Sequence, residues 1–250
     1  MMAEATTEGR MMVMREEAGR YALVTILVVA FILRLGALVV WPQPLEGDAV
    51  LYDQLAASLA NGYGFSKGPG EPQTAVRGPG YPLFVAGFYA LFGHHVLPVY
   101  LTQILLDVLT LLLLHRFALD IIGHARGAWI AAAFYALYPP FIQQAISLYS
   151  ETLYGLLLLA SLWVFWQATR RGQLRWFAFC GLILGAATLV RPVTLLFPIW
   201  LSACLWPVRR RVGLWRPALI LIAFFVLILM PWTLRNQRLF GTFVPVSTLS

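Results

Sequence analysis

The stretch from Tyr21 to Trp41 reads YALVTILVVAFILRLGALVVW, and it decides the fold class of this sequence. It contains one charged side chain, Arg34. A helix of about 20 mostly apolar residues spans the hydrocarbon core of a bilayer. The stretch is too long for the apolar region of a signal peptide, and no small-residue cleavage site follows it, so we predict a retained transmembrane helix.

The remainder of the 250-residue chain has the same character, because 60% of all residues are hydrophobic and only 12% are charged. A soluble domain carries about 25% charged residues, so this chain has too little polar surface for a water-soluble core. The net charge of +7 comes from arginines clustered between apolar runs. That placement is typical of cytoplasmic loops, and it argues against nucleic acid as the partner.

Hydrophobic windows predict an all-α integral membrane protein with about seven transmembrane helices. The predicted spans are 21–41, 96–114, 127–138, 152–169, 176–190, 193–206 and 217–232. His115 and Arg116 are predicted to end the second span, and Pro139 and Pro140 to break or kink the third. An irregular first outer loop covers about 42–95, and its shorter apolar run 81–93 is predicted to be an interfacial or re-entrant helix.

The arginines also predict the orientation of the chain, because cytoplasmic loops carry an excess of Lys and Arg. Residues 1–20 form a cytoplasmic N-terminal segment, and residues 21–250 form one polytopic domain in the cell (inner) membrane. This places the arginine clusters on the cytoplasmic side, and these are Arg170, Arg171 and Arg175, then Arg209, Arg210, Arg211 and Arg216. Five acidic residues then lie on the outer side, and these are Glu46, Asp48, Asp53, Glu71 and Glu151.

Asp48 follows a glycine and opens an amphipathic helix in which positions 48, 52, 55 and 59 share one face. One interpretation is structural, because aspartate is a favoured helix N-cap. The other is functional, because the carboxylate lies just outside the first span, at the mouth of a cavity between helices. The spacing by itself does not decide between the two.

Four more charged residues have two interpretations each. Arg34 either extends toward the outer interface or lies inside the protein, where it binds a phosphate. The same two interpretations apply to Arg191. Glu151 either complements a helix dipole or binds a substrate. Asp107, inside the second span, is either protonated or paired with a neighbouring helix.

No soluble-enzyme motif is present, and the four histidines do not show a metal-ligand spacing. His94, His95 and His124 are therefore interpreted as interfacial histidines. Cys180 and Cys204 lie in apolar stretches without a CxxC pattern, and are interpreted as small packing residues. The metal requirement stays open at this point.

Six segments in order resemble the C-type membrane glycosyltransferases that are related to protein mannosyltransferases and lipid A aminoarabinose transferases (glycosyltransferase family 39). They are Asp48-x-x-x-Tyr52-x-x-Leu55-Ala56 with Gly62-Tyr63-Gly64-Phe65, then Thr74–Phe84 (TAVRGPGYPLF), Ser150–Tyr154 (SETLY), Leu189–Pro192 (LVRP), Pro231–Asn236 (PWTLRN) and Phe243–Thr248 (FVPVST). The resemblance extends over nearly the whole chain from Tyr21 onward.

The resemblance implies transfer of a sugar from a polyprenyl-phosphate carrier to a lipid, glycan or protein acceptor outside the cytoplasm. In such enzymes an acidic residue of the first outer loop is the presumed base, and Asp48 matches it. Glu151 matches a second acidic residue that positions substrate or a divalent cation. Arg34 and Arg191 are candidates for the lipid phosphate by location.

Tyr52 and Arg77 lie inside the matching segments and are taken as further substrate-binding candidates. Members of this family usually continue for several more spans and an outer C-terminal domain, whereas this sequence stops at Ser250. The alternatives to an active glycosyltransferase are therefore an inactive fragment of one, a transporter or another non-catalytic membrane protein.

Overall fold

A computed structural model describes the backbone of residues 2–248, and the side chains of residue 19 and residues 21–248. This part of the chain is built from α-helices and contains no strand. The helices are α1 (Met2–Val40), α2 (Asp48–Ala60), α3 (Gly80–Phe92), α4 (Leu97–Ile122), α5 (Ala125–Leu137), α6 (Pro139–Ala145), α7 (Glu151–Arg171), α8 (Leu174–Val190), α9 (Phe197–Ala203), α10 (Arg209–Val212) and α11 (Trp215–Phe240), with a 3-10 turn at Pro192–Thr194.

Four helices are long and apolar enough to cross a bilayer, namely Tyr21–Val40 of α1, α4, α7 and α11. Helices α3 and α8 and the stretch Pro192–Ala203 are apolar but shorter. The prediction of an all-helical, multi-pass membrane protein is therefore confirmed. The number of seven spans stays a prediction.

The predicted sixth span, 193–206, is not one continuous helix. The 3-10 turn at Pro192–Thr194 is followed by the seven-residue α9 and then by turns. Pro192 and Pro198 each lack a backbone N–H, so an α-helix cannot continue through them without losing hydrogen bonds. Hydropathy alone missed this break, because the segment is apolar throughout.

Two other boundaries also differ from prediction. Helix α4 continues past His115 and Arg116 to Ile122, and ends where Gly123 adopts a left-handed conformation (φ 76°). Helix α11 continues through Pro231 to Phe240, beyond the predicted end at residue 232. Backbone hydrogen bonding does not stop where hydrophobicity stops, so hydropathy windows shorten both helices. The predicted break at Pro139 and Pro140 is confirmed, because α5 ends at Leu137 and α6 begins at Pro139.

Helix α8 packs between α7 and α11, and two glycines bring α8 and α11 close together. A Cβ added at Gly181 would lie 2.3 Å from the Leu221 carbonyl oxygen, and one at Gly185 would lie 2.9 Å from Ile228 Cβ. Small residues four positions apart allow such close backbone approach between membrane helices. This contact fixes the position of α8, whose C-terminal end carries Arg191.

Helices α2 and α3 form the first loop's folded part, as predicted. They pack on each other and on the neighbouring helices through a core of aromatic and aliphatic side chains. Its buried rings are Tyr52, Tyr81, Tyr89 and Tyr100. The loop is thus a packed layer over the ends of the long helices, and it holds Asp48, Tyr52 and Arg77 in defined positions.

Candidate active site

Asp48 is the first residue of α2, and its carboxylate does not cap the helix. The N-cap position belongs to Gly47 (φ 55°), and no side chain makes a capping hydrogen bond there. The capping interpretation of Asp48 is therefore wrong. Its Oδ1 instead accepts a hydrogen bond from Arg77 Nη2 at 2.7 Å, while half of the Asp48 side chain stays exposed.

Glu151 and Arg191 form a second ion pair at the same end of the long helices. Glu151 is the first residue of α7, as predicted, and Arg191 directly follows the last residue of α8. An acidic group at a helix N-terminus and a basic group at a helix C-terminus both complement the helix dipoles. Each side chain is about one-third exposed, so both groups remain accessible to a ligand.

Tyr52 lies near members of both ion pairs. Its ring is buried, and its hydroxyl donates a hydrogen bond to Ser150 Oγ at 3.2 Å, next to Glu151. Burial raises the pKa of the Tyr52 phenol, and the charges of Asp48, Arg191 and Glu151 all act on it. These three charged groups therefore all lie near one tyrosine. We call Asp48, Tyr52, Arg77, Glu151 and Arg191 the charged cluster.

A close contact between two short motifs brings the two arginines of the cluster together. Gly78 and Gly80 flank Pro79 directly after Arg77, and they press against the end of α8. A Cβ at Gly78 would lie 2.3 Å from the Leu189 carbonyl oxygen, and one at Gly80 would lie 2.8 Å from the Val190 nitrogen. No side chain fits into this contact, which explains the glycines and places Arg77 beside the Leu189–Pro192 segment.

Gln103 holds segments next to the charged cluster in place, and the sequence interpretation did not identify it. It is fully buried in α4, where its Oε1 accepts a hydrogen bond from the Tyr81 hydroxyl at 2.6 Å. Its Nε2 donates to the carbonyl oxygens of Ala145 and Ser147. Gln103 thereby ties α3 to the turn that leads into Ser150. A lone amide within an apolar span is itself a sequence signal for such a role.

The last described segment of the chain folds back onto the first loop. The Trp232 indole donates to the Val246 carbonyl at 2.6 Å, and the Thr248 nitrogen donates to the Ala75 carbonyl at 2.9 Å. Arg235 donates to the Thr74 carbonyl and lies over the Trp232 ring. The motifs at 231–236 and 243–248 thus hold the loop that carries Arg77, which sequence order did not reveal.

Arg34 does not belong to the charged cluster. It is fully buried, and its Nε donates to Asp107 Oδ2 at 2.5 Å. Its Nη1 donates to the carbonyl oxygens of Ala30 and Ala136, and Tyr135 donates to the other carboxylate oxygen of Asp107. The interpretation that Arg34 extends to the outer interface is therefore wrong, and Asp107 is the paired residue that the sequence left open. The buried location of Arg34 does not support its predicted contact with a lipid phosphate.

A smaller polar group lies on α2 outside the cluster. Asp53 Oδ1 accepts a hydrogen bond from the Tyr89 hydroxyl at 2.6 Å and lies 2.8 Å from His94 Nε2. His94 is more than half exposed, in keeping with an interfacial histidine, but its carboxylate partner was not predicted. This contact joins α2 to the α3–α4 turn.

The described side chains do not fit a divalent cation. Among them, no group of three or more histidine, cysteine, aspartate or glutamate residues is close enough to hold a metal ion. Asp48 and Glu151 are each paired with an arginine. A cation would have to displace an arginine and would still lack a third protein ligand, so no step proposed below uses one.

Comparison with known proteins gives one match. The dolichyl-phosphate-mannose-protein mannosyltransferase family matches residues 76–234, which is more than half of the chain. The matched range includes Arg77, Glu151 and Arg191, and it begins after Asp48 and Tyr52. No curated protein and no solved structure matches the chain. The membrane helices and the family match together show that the chain belongs to the dolichyl-phosphate-mannose-protein mannosyltransferase family of C-type membrane glycosyltransferases.

Proposed function

We propose that this protein transfers a glycosyl group from a polyprenyl-phosphate-linked donor to an acceptor on the non-cytoplasmic side of the membrane. The observation that carries the proposal is the charged cluster, in which two carboxylate–arginine ion pairs lie near the buried Tyr52. Family membership supplies the reaction class. The cluster supplies the carboxylates and the arginine side chains that this reaction needs.

In the proposed reaction an acceptor hydroxyl oxygen attacks the anomeric carbon of the sugar. A new carbon–oxygen bond forms while the bond from that carbon to the carrier phosphate breaks. The acceptor proton passes to the Asp48 carboxylate, which acts as general base. The bonding electron pair leaves with the phosphate oxygen, so the products are the glycosylated acceptor and the polyprenyl phosphate.

The arginines are proposed to bind the donor phosphate. A guanidinium keeps its charge at all relevant pH values and can hold a phosphate through two parallel hydrogen bonds. Such donors stabilise the charge that develops on the leaving oxygen. Arg191 is the main candidate and Arg77 the second, because both are partly exposed at the cluster. A phosphate on Arg191 would release Glu151 to contact sugar hydroxyls.

The orientation proposed for this reaction is the one predicted from the arginine bias, with seven spans and a cytoplasmic N-terminus. It is supported by the position of the cluster, since Glu151 begins α7 while Arg170 and Arg171 lie at the opposite end of that helix. A helix of its 21 residues is about 32 Å long, enough to separate the two sides of a bilayer. Donor phosphate and arginine-rich loops would then face different compartments.

Cysteine labelling tests this orientation. In a Cys204→Ser background, Lys67→Cys should react with an impermeant thiol reagent added to intact cells, whereas Gln173→Cys should not. Lys67 and Gln173 are both exposed, so a cysteine at either position is accessible from its own side of the membrane. Cys180 is buried, so it serves as the unreactive background thiol. Labelling of Gln173→Cys in intact cells would contradict the orientation.

Asp48→Asn tests the proposed base. Asn keeps the size of the side chain but cannot take a proton at neutral pH, so transfer from polyprenyl-phosphate carrying labelled mannose should fall about 10²- to 10⁴-fold. The matched control is Glu46→Gln, an exposed acidic residue two positions earlier that lies outside the cluster. It should retain activity within about two-fold.

The two outcomes of this test separate the candidate bases. A folded Asp48→Asn protein that keeps more than about a tenth of wild-type transfer would exclude Asp48 as the base, because even a weak general base contributes more. Glu151→Gln would then be the next variant to measure. A wild-type protein that binds the donor but transfers no sugar to any acceptor would instead favour an inactive member of the family.

A further inference from the structure

Two arginine-rich connections come together at the end of α7 and α8 that lies opposite the charged cluster. Arg211 Nη2 donates a hydrogen bond to the Arg170 carbonyl oxygen at 2.6 Å, across 41 positions of sequence. The Val212 side chain lies beside Gly172, at 3.8 Å from the position that a Cβ there would take. The two connections therefore form one surface. We call it the arginine patch, and it consists of Arg170, Arg171, Arg175, Arg209, Arg210, Arg211 and Arg216.

The positive charge of the patch is exposed, and it has no acidic partner among the described side chains. All seven arginines are exposed. Among the side chains that the structure describes, no carboxylate forms an ion pair with any of them. Asp120, at the same end of the protein, instead accepts hydrogen bonds from Trp163 and Gln167. So dense a positive surface attracts an anionic partner.

Tryptophans place the patch at the level of lipid headgroups. Trp206 and Trp215 are exposed at the two ends of the second connection, and Trp215 begins the membrane-spanning α11. Tryptophan at the end of an apolar helix is typical of the membrane–water interface. The Arg209 guanidinium lies over the Trp206 ring at 4.0 Å, and Arg171 lies over the Trp176 ring at 4.4 Å. These stacked arginines are therefore oriented at the edge of the bilayer.

We propose that the arginine patch is a binding surface for anionic phospholipids of the adjacent leaflet. An arginine fork binds a phosphate with two hydrogen bonds, and a negatively charged leaflet attracts basic segments that lie within a Debye length. The helices adjoining the patch already place it against the bilayer, so lipid phosphate is the partner at hand. This surface is separate from the charged cluster, and the inference does not depend on the proposed function.

The test compares lipid preference in purified protein with defined lipids. Wild type, Arg209→Gln/Arg210→Gln/Arg211→Gln and a control triple are mixed with equal amounts of phosphatidylglycerol and phosphatidylcholine, and retained lipids are counted by native mass spectrometry. The control triple is Arg116→Gln/Arg126→Gln/Arg238→Gln, three exposed arginines outside the patch with the same change in charge. Circular dichroism verifies that each variant is folded.

Wild type should prefer phosphatidylglycerol by at least ten-fold. Each patch arginine is expected to contribute about five-fold, so the patch triple should lose most of this preference and retain the two lipids within about three-fold of each other. The control triple should stay within about three-fold of wild type. Arg209→Lys/Arg210→Lys/Arg211→Lys should keep an intermediate preference, because the charge remains while the planar fork is lost.

Three results would overturn the proposal. The first is equal retention of the two lipids by wild type, and the second is an equal loss in the two Gln triples. The third is patch-dependent binding of heparin without any preference for phosphatidylglycerol, which would identify a soluble polyanion as the partner. If the patch triple does not fold, the lysine variant is used for the decision instead. A lysine variant that prefers phosphatidylglycerol as strongly as the control triple does would also contradict the proposal.

Discussion

The Arg34–Asp107 and Arg191–Glu151 ion pairs join the same kinds of group in opposite surroundings. The first is almost fully buried between α1 and α4, with 0% and 2% of the side chains exposed. The second lies at the ends of α7 and α8, with 38% and 33% exposed. A buried pair cannot lose one partner without leaving an uncompensated charge, whereas an exposed pair contributes little to stability. The first is therefore suited to holding helices together, and the second to exchanging its partner for a substrate.

Breaking the buried pair should have the largest effect on stability. Asp107→Leu leaves the Arg34 charge buried without its carboxylate, and we expect a loss of about 3–5 kcal/mol in the free energy of unfolding. The measurement is unfolding in mixed micelles by titration with a denaturing detergent. The Arg34→Leu/Asp107→Leu double variant should recover most of the loss, since replacing a whole buried pair by apolar side chains is often neutral. A loss below about 1 kcal/mol in Asp107→Leu would contradict the idea that the buried ion pair stabilises the fold more than the exposed one.

Gln103→Leu should have an intermediate effect, because it removes a neutral amide rather than a charge. It leaves the buried Tyr81 hydroxyl and the Ser147 carbonyl without this partner, which typically costs about 1–3 kcal/mol. We also expect a lower kcat, since the turn before Ser150 and Glu151 loses its anchor. Thr102→Val is the matched control on α4, because the Thr102 hydroxyl bonds only within its own helix, to the Pro98 carbonyl. Equal behaviour of the two variants would argue against a positioning role for Gln103.

Arg191→Ala should have the smallest effect on stability and a clear effect on the donor. Its exposed ion pair is expected to contribute at most about 1 kcal/mol to folding. A charged hydrogen bond to the donor phosphate contributes about 1.5–3 kcal/mol, so donor affinity should fall roughly ten- to hundred-fold. Arg191→Lys should restore part of the affinity. The measurements are unfolding in detergent and binding of polyprenyl-phosphate mannose. Unchanged donor binding in Arg191→Ala would show that this residue does not bind the donor.

Much of the architecture was predictable because hydropathy and helix-end chemistry are local properties. The window at 21–41 predicted the apolar part of α1, and Pro139 predicted the break between α5 and α6. Asp48 and Glu151 were correctly placed at the starts of α2 and α7. Local patterns failed at the sixth span, where apolar composition continues although prolines interrupt the backbone hydrogen bonds.

The sequence interpretation named most residues of the charged cluster but not how they are arranged. Five of the six proposed site residues meet in the charged cluster, while Arg34 is paired with Asp107 across 73 positions of sequence. The roles of Gln103 and Arg235 were not predicted, because their partners lie in other segments. Sequence by itself determined that the chain is a helical membrane protein with acidic groups at helix starts and arginines between spans. Only the tertiary structure decided which charged pairs are buried and which stay exposed to a ligand. Pairing depends on how the helices rotate and pack against each other, and no local sequence pattern encodes that.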